Sequence, residues 1–240
     1  MTYHLAAALD GARLRDDFER QGFVQVQNVL AQESARRVHK ALAEHQQWNL
    51  VFNQDSKHFD LDDAEIRKLP GHDFARLQAA IHAQAREHFQ YLYNNYPIFD
   101  AHRAGLNAGS PLHAFYEWLN SAEFLDFARA VTGQDAITFA DAKATRYMPG
   151  HFLTEHDDSQ EGKNRLAAYI FNFTERWRPD WGGYLQLLSD NGDIRHGMMP
   201  AFNALNIIDI PQRHSVSYVA PFAGTARLSI TGWLRSGSPD

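Results

Sequence analysis

The sequence predicts an α+β protein with a mainly β core, a jelly roll covered on one face by N-terminal helices. Residues 1–134 contain long segments with apolar residues at helical spacing, whereas from about residue 135 short alternating runs are separated by turn residues. Several short strands at this spacing are typical of a jelly-roll sandwich or barrel. The helices are then expected to cover one face of it. We therefore expect a helix-rich part, 1–134, packed on a core formed by 135–240 as one structural unit.

Three segments of the first part are predicted to be helical, and they are residues 30–48, 71–96 and 110–133. Gln32-Glu33-Ser34 fits the start of the first. The second carries one apolar stripe, formed by Leu77, Ile81, Ala85 and Phe89. The third reads as two short helices closed by Gly133, which fits a C-cap. A strand is predicted in this part at GFVQVQNV, residues 22–29.

Six alternating runs of the second part are predicted strands, with turn signals such as Pro149-Gly150 and Gly182-Gly183 between them. The runs are AITFADAKATRYM (136–148), RLAAYIFNF (165–173), GYLQLLS (183–189), ALNIIDI (204–210), HSVSYVA (214–220) and ARLSITGWL (226–234).

Composition excludes several classes of function. The net charge of −6, without any run of Lys or Arg, gives no reason to expect nucleic-acid binding. The chain has no cysteine, so disulfides and thiolate metal sites are excluded, and a metal would be held by His, Asp or Glu. The N-terminus lacks the basic region of a signal peptide, and no stretch of 18 apolar residues is present. We expect a cytoplasmic enzyme or binding protein that does not span a membrane.

The stretch LTEHDDSQ, residues 153–160, is a candidate metal site. In an extended segment side chains two apart point the same way, so His156 and Asp158 are expected to face one point. They would supply two members of a facial triad of two histidines and one carboxylate. The alternative is a solvated acidic loop. A second His-x-Asp, His58-Phe59-Asp60, lies in a polar stretch of the helical part and is expected outside any strand ladder.

The third ligand must come from a distant strand. His214 opens the predicted strand 214–220 and is preferred because of the residues that follow it. His196 and His151 are competitors. We expect an acidic or amide partner for His196, and His151 lies in a turn.

The strand 226–234 places Arg227, Ser229, Thr231 and Trp233 on one face, and Leu228 and Ile230 on the face that suits packing against the helices. A buried arginine needs an anion. A dicarboxylate ligand would satisfy it, because guanidinium binds a carboxylate through two hydrogen bonds. The alternative is an internal ion pair with Asp209 or Asp193.

The order YxPG, HxD, R, WGG, H and RxSxxxW over about residues 135–236 resembles the Fe(II)/2-oxoglutarate-dependent dioxygenases, most closely their prolyl-hydroxylase-like branch. The resemblance implies a double-stranded β-helix with a metal near one mouth. It implies iron ligands at His156, Asp158 and His214. Further roles implied are binding of the distal 2-oxoglutarate carboxylate by Arg227 with Ser229, a cosubstrate hydrogen bond from Tyr147, and a substrate pocket near Arg165 and Trp233.

The sequence departs from this family at Asn172, where close relatives carry a tyrosine whose hydroxyl reaches the distal carboxylate. An amide can still donate a hydrogen bond there, but from a shorter stem, so Asn172 is a candidate cosubstrate contact of altered geometry. Asp158 is a carboxylate, which argues against the halogenating relatives, where chloride takes that position.

The resemblance implies an oxidoreductase that uses Fe(II), 2-oxoglutarate and O2, with ascorbate as a candidate additional cofactor, to hydroxylate an unactivated C–H bond and release succinate and CO2. The segment 159–164 is too short for a large lid, which favours a prolyl residue in a peptide or protein as substrate. The alternative substrate is a free amino acid or other small molecule. The alternative functions are those of a metal-binding β-barrel without oxygen chemistry and of a structural interaction domain. The sequence does not predict an oligomeric state.

Overall fold

The computed structural model describes residues 2–55 and 57–238. Within these ranges the α-helices are α1 (Gly11–Gln21), α2 (Gln32–Glu44), α3 (Asp63–Ile66), α4 (Gly71–Ala85), α5 (Ile98–Arg103), α6 (Pro111–Leu119) and α7 (Ala122–Thr132).

The strands form one antiparallel sheet that curls over on itself. They are β1 (Phe23–Gln27), β2 (Asn49–Gln54), β3 (Lys57–Asp62), β4 (Tyr91–Tyr96), β5 (Phe139–Ala140), β6 (Lys143–Tyr147), β7 (Phe152–His156), β8 (Arg165–Asn172), β9 (Leu185–Leu188), β10 (Ile194–Met198), β11 (Ala204–Asp209), β12 (His214–Val216) and β13 (Arg227–Arg235).

The strand order divides the sheet into two facing layers. One layer runs β1-β11-β8-β13-β6, and the other runs β7-β12-β9-β10. Strand β4 joins them, because it pairs with β6 through Asn94–Tyr96 and with β7 through Tyr91 and Leu92. Apolar residues of β8 and β11 meet those of β9 and β10 in one buried cluster, so the layers pack face to face. This architecture confirms the predicted α+β jelly roll.

The helices cover the outer face of the first layer. A large buried cluster joins α2, α6 and α7 to β8 and β13, and it includes Val38, Leu42, Phe115, Phe124, Phe171, Leu228 and Ile230. The predicted packing of Leu228 and Ile230 against the helices is confirmed. Side chains alternate along a strand, so burying these two residues on the helical side turns their neighbours toward the opposite layer.

Local sequence explains how the covering helices begin and end. Ser110 caps α6 through its hydroxyl, and Pro111 occupies the first turn, where its missing N–H costs no hydrogen bond. Gly133 ends α7 with a φ of 70°, a left-handed conformation that glycine adopts without strain. The two helices predicted within residues 110–133 are therefore confirmed, as is the helix that begins at Gln32.

The N-terminal part contains more strand than the sequence predicts. The helix predicted over 71–96 ends at Ala85, and its last six residues form β4, while Phe89 is exposed rather than part of an apolar stripe. The prediction that His58 lies outside any strand ladder is wrong, because His58 belongs to β3, which pairs with β2. Strand β10 was not predicted either. Tertiary pairing overrides the weak helical periodicity in these segments.

In the described parts of the chain, 2–55 and 57–238, no helix has the length and apolar character needed to cross a membrane.

His151, at the turn that leads into β7, gives the fold a pH dependence. Its side chain is buried, and burial lowers its pKa from the ordinary value of 6.5 to about 4. The unfolded chain therefore binds this proton more tightly than the folded one. The contribution of neutral His151 to the free energy of unfolding is fully present above about pH 6.5 and is lost as the pH falls toward 4.

We expect the stability advantage of the wild type over His151→Gln to shrink by about 2 kcal/mol between pH 7.5 and pH 5. Urea unfolding of both proteins at the two pH values measures this difference, and the titration of other histidines cancels between them. A difference that does not change with pH would contradict the buried neutral state of His151.

Candidate metal centre

Two imidazoles and one carboxylate converge between the layers. His214 on β12 lies opposite His156 at the end of β7, and their ring centroids are 4.1 Å apart. Asp158 Oδ1 lies 3.6 Å from His156 Nε2, and its Oδ2 lies 3.4 Å from His214 Nε2. Neighbouring ligands about 2.1 Å from one ion lie about 3 Å apart when their bonds are perpendicular, so these separations suit a shared cation. The structure brings together the three predicted ligands.

Hydrogen bonds fix the orientation of both imidazoles. His156 Nδ1 donates to the backbone oxygen of Thr154 at 3.0 Å, and His214 Nδ1 donates to that of Gln212 at 2.7 Å. A proton on Nδ1 leaves the lone pair on Nε2, the atom that faces Asp158 in each ring. Two neutral imidazoles and a carboxylate on one side of a cation form the donor set of a facial triad, which fits Fe(II) and leaves positions for other ligands.

The protonation state of His156 favours metal binding. Burial, followed by the neighbouring His214, lowers the pKa of His156 to about 4, although Asp158 acts in the opposite direction. The imidazole is therefore neutral at pH 7, the form in which histidine binds a metal.

The route by which Asp158 reaches the site differs from the predicted one. Strand β7 ends at His156, and Asp158 has a φ of 63°, so the two residues do not lie in one extended segment. Aspartate is among the residues that tolerate this left-handed conformation. The backbone oxygen of Asp158 accepts a hydrogen bond from Arg165 Nη1 at 3.0 Å, which holds the turn.

Arg213, which sequence reasoning missed, ties the segments around the triad together. Its Nε donates to Glu155 Oε1 at 2.6 Å, and its Nη1 donates to the backbone oxygen of Asp190 at 2.8 Å. Glu155 lies within β7, next to the ligand His156, and Asp190 lies in the β9–β10 turn. The alternation of Glu155 with His156 and of Arg213 with His214 was the available sequence signal, since residues next to inward-facing ligands face outward and can pair there.

Arg227 is a buried cation in the same cavity as the triad. It is 2% exposed, and among the described residues its Nε and Nη1 have no hydrogen-bond partner. Its guanidinium carbon lies 5.1 Å from the centre of the Tyr147 ring. Burial lowers the pKa of Arg227. A buried guanidinium with unused donors in a cavity calls for an anion.

The internal ion pairs that were the alternative for Arg227 do not form. Asp209 Oδ1 accepts a hydrogen bond from Gln134 at 3.2 Å, and Asp193 Oδ2 accepts one from Asn191 at 2.9 Å. Among the described residues, no carboxylate lies within ion-pair distance of Arg227.

The other predicted cosubstrate contacts lie near Arg227. Tyr147 and Ser229 line the cavity, and Ser229 Oγ is 2.9 Å from Thr145 Oγ1. Asn172 pairs with Ser229 across β8 and β13, but its Nδ2 is directed at the backbone oxygens of Ile170 and Ala204, both at 3.5 Å. Asn172 is buried and is not among the residues that line this cavity.

Trp233 stands at the other end of the cavity, beside two cations. The guanidinium carbon of Arg165 lies 3.5 Å from the centre of the indole, and Lys143 Nζ lies 4.9 Å from it. Lys143 and Tyr93 also line the cavity, and sequence reasoning missed both. The inward alternation of Lys143, Thr145 and Tyr147 could have indicated the lysine. Tyr93 was hidden in a segment predicted to be helical.

The competing histidines lie elsewhere. His196, on β10, is exposed and packs on the ring of Phe23 at 4.7 Å, so the acidic or amide partner expected for it is not observed. His151 is buried at its turn. His58 Nδ1 is 2.6 Å from Tyr91 Oη in the hairpin of β2 and β3.

Residues 142–235 match the family model described as the 2OG-Fe(II) oxygenase superfamily. A search among curated protein sequences found no match. Among solved structures, the chain resembles a Pseudomonas putida prolyl-4-hydroxylase with a TM-score of 0.56 and 17% identity, covering 95% of this chain and 100% of that one.

Two further structures are similar. One is a 2OG-Fe(II) oxygenase family oxidoreductase from Burkholderia pseudomallei, with a TM-score of 0.62 and 14% identity over 99% of this chain and 98% of that one. The other is a Trichoplax adhaerens prolyl hydroxylase in complex with a peptide fragment of a hypoxia inducible factor oxygen degradation domain. It has a TM-score of 0.60 and 14% identity over 94% of this chain and 90% of that one. At these identities the likeness shows a shared fold.

We expect Asp158→Ala to abolish Fe(II) binding, because it removes the anionic ligand and leaves two neutral imidazoles. Anaerobic calorimetric titration with Fe(II) measures the binding. Asp157→Ala is the matched control, since the Asp157 carboxylate accepts a hydrogen bond from the Ser159 backbone at 2.9 Å. Full iron binding by Asp158→Ala would show that the metal site lies elsewhere in the protein.

Proposed function

We propose, from the match of residues 142–235 to the 2OG-Fe(II) oxygenase superfamily model, that the chain is an oxygenase that hydroxylates a prolyl residue in a peptide or protein, with release of succinate and CO2. Enzymes of this superfamily use Fe(II), 2-oxoglutarate and O2. We further propose that residues 135–240 hold the catalytic core. The cytoplasmic location expected from the sequence stays a prediction.

One observation carries the proposal: a buried arginine that has no acidic partner in the described part of the chain faces the same cavity as a two-histidine, one-carboxylate triad. A metal-binding protein without oxygen chemistry would have no use for this second feature. 2-Oxoglutarate has one end that can chelate a metal and a carboxylate at the other end. Such a ligand would satisfy the triad and the guanidinium of Arg227 together.

The side chains around the cavity would hold and orient the reactants. We propose that His156, Asp158 and His214 hold Fe(II), and that Arg227 and Ser229 bind the distal carboxylate of 2-oxoglutarate. Bound iron would supply the activation of O2 that drives the oxidative decarboxylation of the cosubstrate.

The remaining cavity residues would position the reactants and exclude water. Tyr147 is buried beside Arg227, and burial raises its pKa, so its hydroxyl is protonated at neutral pH and can donate a hydrogen bond to the cosubstrate. Its ring, with that of Tyr93, walls the cavity on one side, and the two rings stack at 5.0 Å. Apolar walls of this kind keep bulk water from the reacting groups.

Arg165 and Trp233 are proposed to contact the substrate, because Trp233 lines the cavity at the end away from Arg227 and Arg165 stacks on its indole. Two structures with this fold are prolyl hydroxylases by name, and one of them holds a peptide fragment. This likeness supports a peptidyl proline as the substrate. A free amino acid or another small molecule is the alternative, since the same metal centre would serve both.

Anaerobic titration of the protein with Fe(II) and then 2-oxoglutarate tests the proposed ligand set and cosubstrate together, without knowledge of the substrate. We expect a weak visible charge-transfer band that appears only when both are present. Absence of the band would reject the proposal. Conversion of free proline, with no turnover on peptides or proteins, would instead favour the small-molecule alternative.

We expect Arg227→Ala to raise the apparent KM for 2-oxoglutarate by about 100-fold, because a desolvated charge pair is lost. Succinate formation at varied 2-oxoglutarate concentrations measures the change. Arg227→Lys keeps the charge but not the paired hydrogen bonds, so its KM for 2-oxoglutarate should lie between those of the wild type and of Arg227→Ala. An unchanged KM in both variants would show that the anion bound here is not 2-oxoglutarate.

We expect Asn172→Tyr to retain activity, with an apparent KM for 2-oxoglutarate that is unchanged or lower, because a tyrosine hydroxyl reaches further than the amide. The same assay measures it, and thermal unfolding checks that the larger side chain is accommodated. Complete loss of activity in a folded variant would reveal a separate function of Asn172.

A further inference from the structure

Lys143 lies at the far end of the cavity from Arg227. Along β6 the residues Lys143, Thr145 and Tyr147 all line the cavity, so they share its inward face. Tyr147 pairs with Arg227 across β6 and β13, whereas Lys143 pairs with Thr231. Four residues of strand separate the two ends by about 13 Å. The cavity thus has one cation at each end, with the triad also on its wall.

The ammonium group of Lys143 has unused donors. It donates a hydrogen bond to Tyr93 Oη at 3.3 Å, and it approaches the indole of Trp233. Within the described ranges, no carboxylate lies within 4.0 Å of it. Asp141, two residues away, is otherwise engaged: its Oδ1 accepts a hydrogen bond from the Trp233 backbone at 2.8 Å, and its Oδ2 lies 3.4 Å from Arg235.

A second cation adds to the positive charge at this end. Arg165 stacks on the same indole, at 3.5 Å from its centre, so both cations lie beside the ring of Trp233. The hydrogen bond from Arg165 to Asp158 goes to a backbone oxygen, and the carboxylates of Asp158 and Asp141 act on Arg165 only from beyond ion-pair distance. Among the described residues neither Lys143 nor Arg165 has a carboxylate within 4.0 Å, so a bound anion would interact favourably with both cations.

We propose that Lys143 binds a carboxylate of the substrate. The inference rests on the proposed function and narrows its substrate class to molecules that carry an acid group close to the hydroxylated carbon. The carboxylate could belong to an acidic residue next to the target proline in a peptide, or to a free imino acid itself. The distal carboxylate of 2-oxoglutarate is already assigned to Arg227 at the opposite end.

The test uses matched acid and amide probes on protein loaded anaerobically with Fe(II) and saturating 2-oxoglutarate. The peptide pairs are acetyl-Glu-Pro-Ala-amide with its Gln analogue and acetyl-Ala-Pro-Glu-amide with its Gln analogue. The small-molecule pair is L-proline with L-prolinamide. Calorimetric titration gives the affinity for each probe. We expect at least one acid to bind about 10-fold tighter than its amide, as for a hydrogen bond between charged groups.

Variants assign this preference to Lys143. Lys143→Met, which keeps the length but removes the charge, should reduce the acid preference to less than about twofold, while Lys143→Arg should retain most of it. Lys163→Met is the matched control, because Lys163 is exposed and does not line the cavity. It should leave the preference unchanged. Which acid is preferred identifies the source of the carboxylate.

Two results would overturn the inference: no acid preferred over its amide in the wild type, or a preference that persists in Lys143→Met. The charge-transfer band separates these failures from failure of the proposed function. A band in the wild type and in Lys143→Met without acid preference rejects the role of Lys143 alone. Absence of the band in the wild type rejects both proposals.

Discussion

The register between β7 and β12 is the constraint on which the metal centre depends. His214 can face His156 only while the strands keep this pairing, because a slip by one residue would turn the imidazole to the opposite side of the layer. Pairing of β12 with β9 on its other edge holds the same register, with His214 opposite Leu187. Arg213 reinforces it from outside through Glu155. Two ligands from remote parts of the chain are thereby positioned by backbone hydrogen bonds.

The second feature of the site is the positive charge of Arg227, which no carboxylate of the described residues balances. Arg227 is buried beside the ring of Tyr147, and its Nε and Nη1 have no hydrogen-bond partner among the described residues, an arrangement that costs stability in the free protein. A ligand that supplies a negative charge would offset this loss of folding stability when it binds. The cosubstrate would then stabilise the folded chain as well as take part in the reaction. Local violations of packing rules commonly mark functional sites in this way.

In the C-terminal half, the alternation of apolar and polar residues within strands predicted which side chains face the cavity and which face the helices. Leu228 and Ile230 are apolar and their neighbours are polar, so the face of β13 followed from period two alone. The same logic failed for Asp158, whose left-handed backbone places it after the end of the strand, a feature that alternation does not encode. Residues 91–96 were misread because the helical stripe of Leu77, Ile81 and Ala85 was extended beyond Ala85, where α4 ends, and the pairing of β4 with β6 exists only in the folded chain. Lys143 was missed although it alternates with Thr145 and Tyr147 on the inward face of β6.

Strand β4 bridges the two layers and so changes how the chain can be divided. It hydrogen-bonds to β6 at one end and to β7 at the other, and between them Tyr93 supplies part of the cavity wall. A fragment starting at residue 135 would expose the edges of β6 and β7 that β4 covers. It would also expose the ring of Tyr147, which stacks on Tyr93 of β4. The C-terminal half of this protein, which carries the triad, is therefore not an exchangeable module. A recombination that transfers it to another protein would have to carry β4 along.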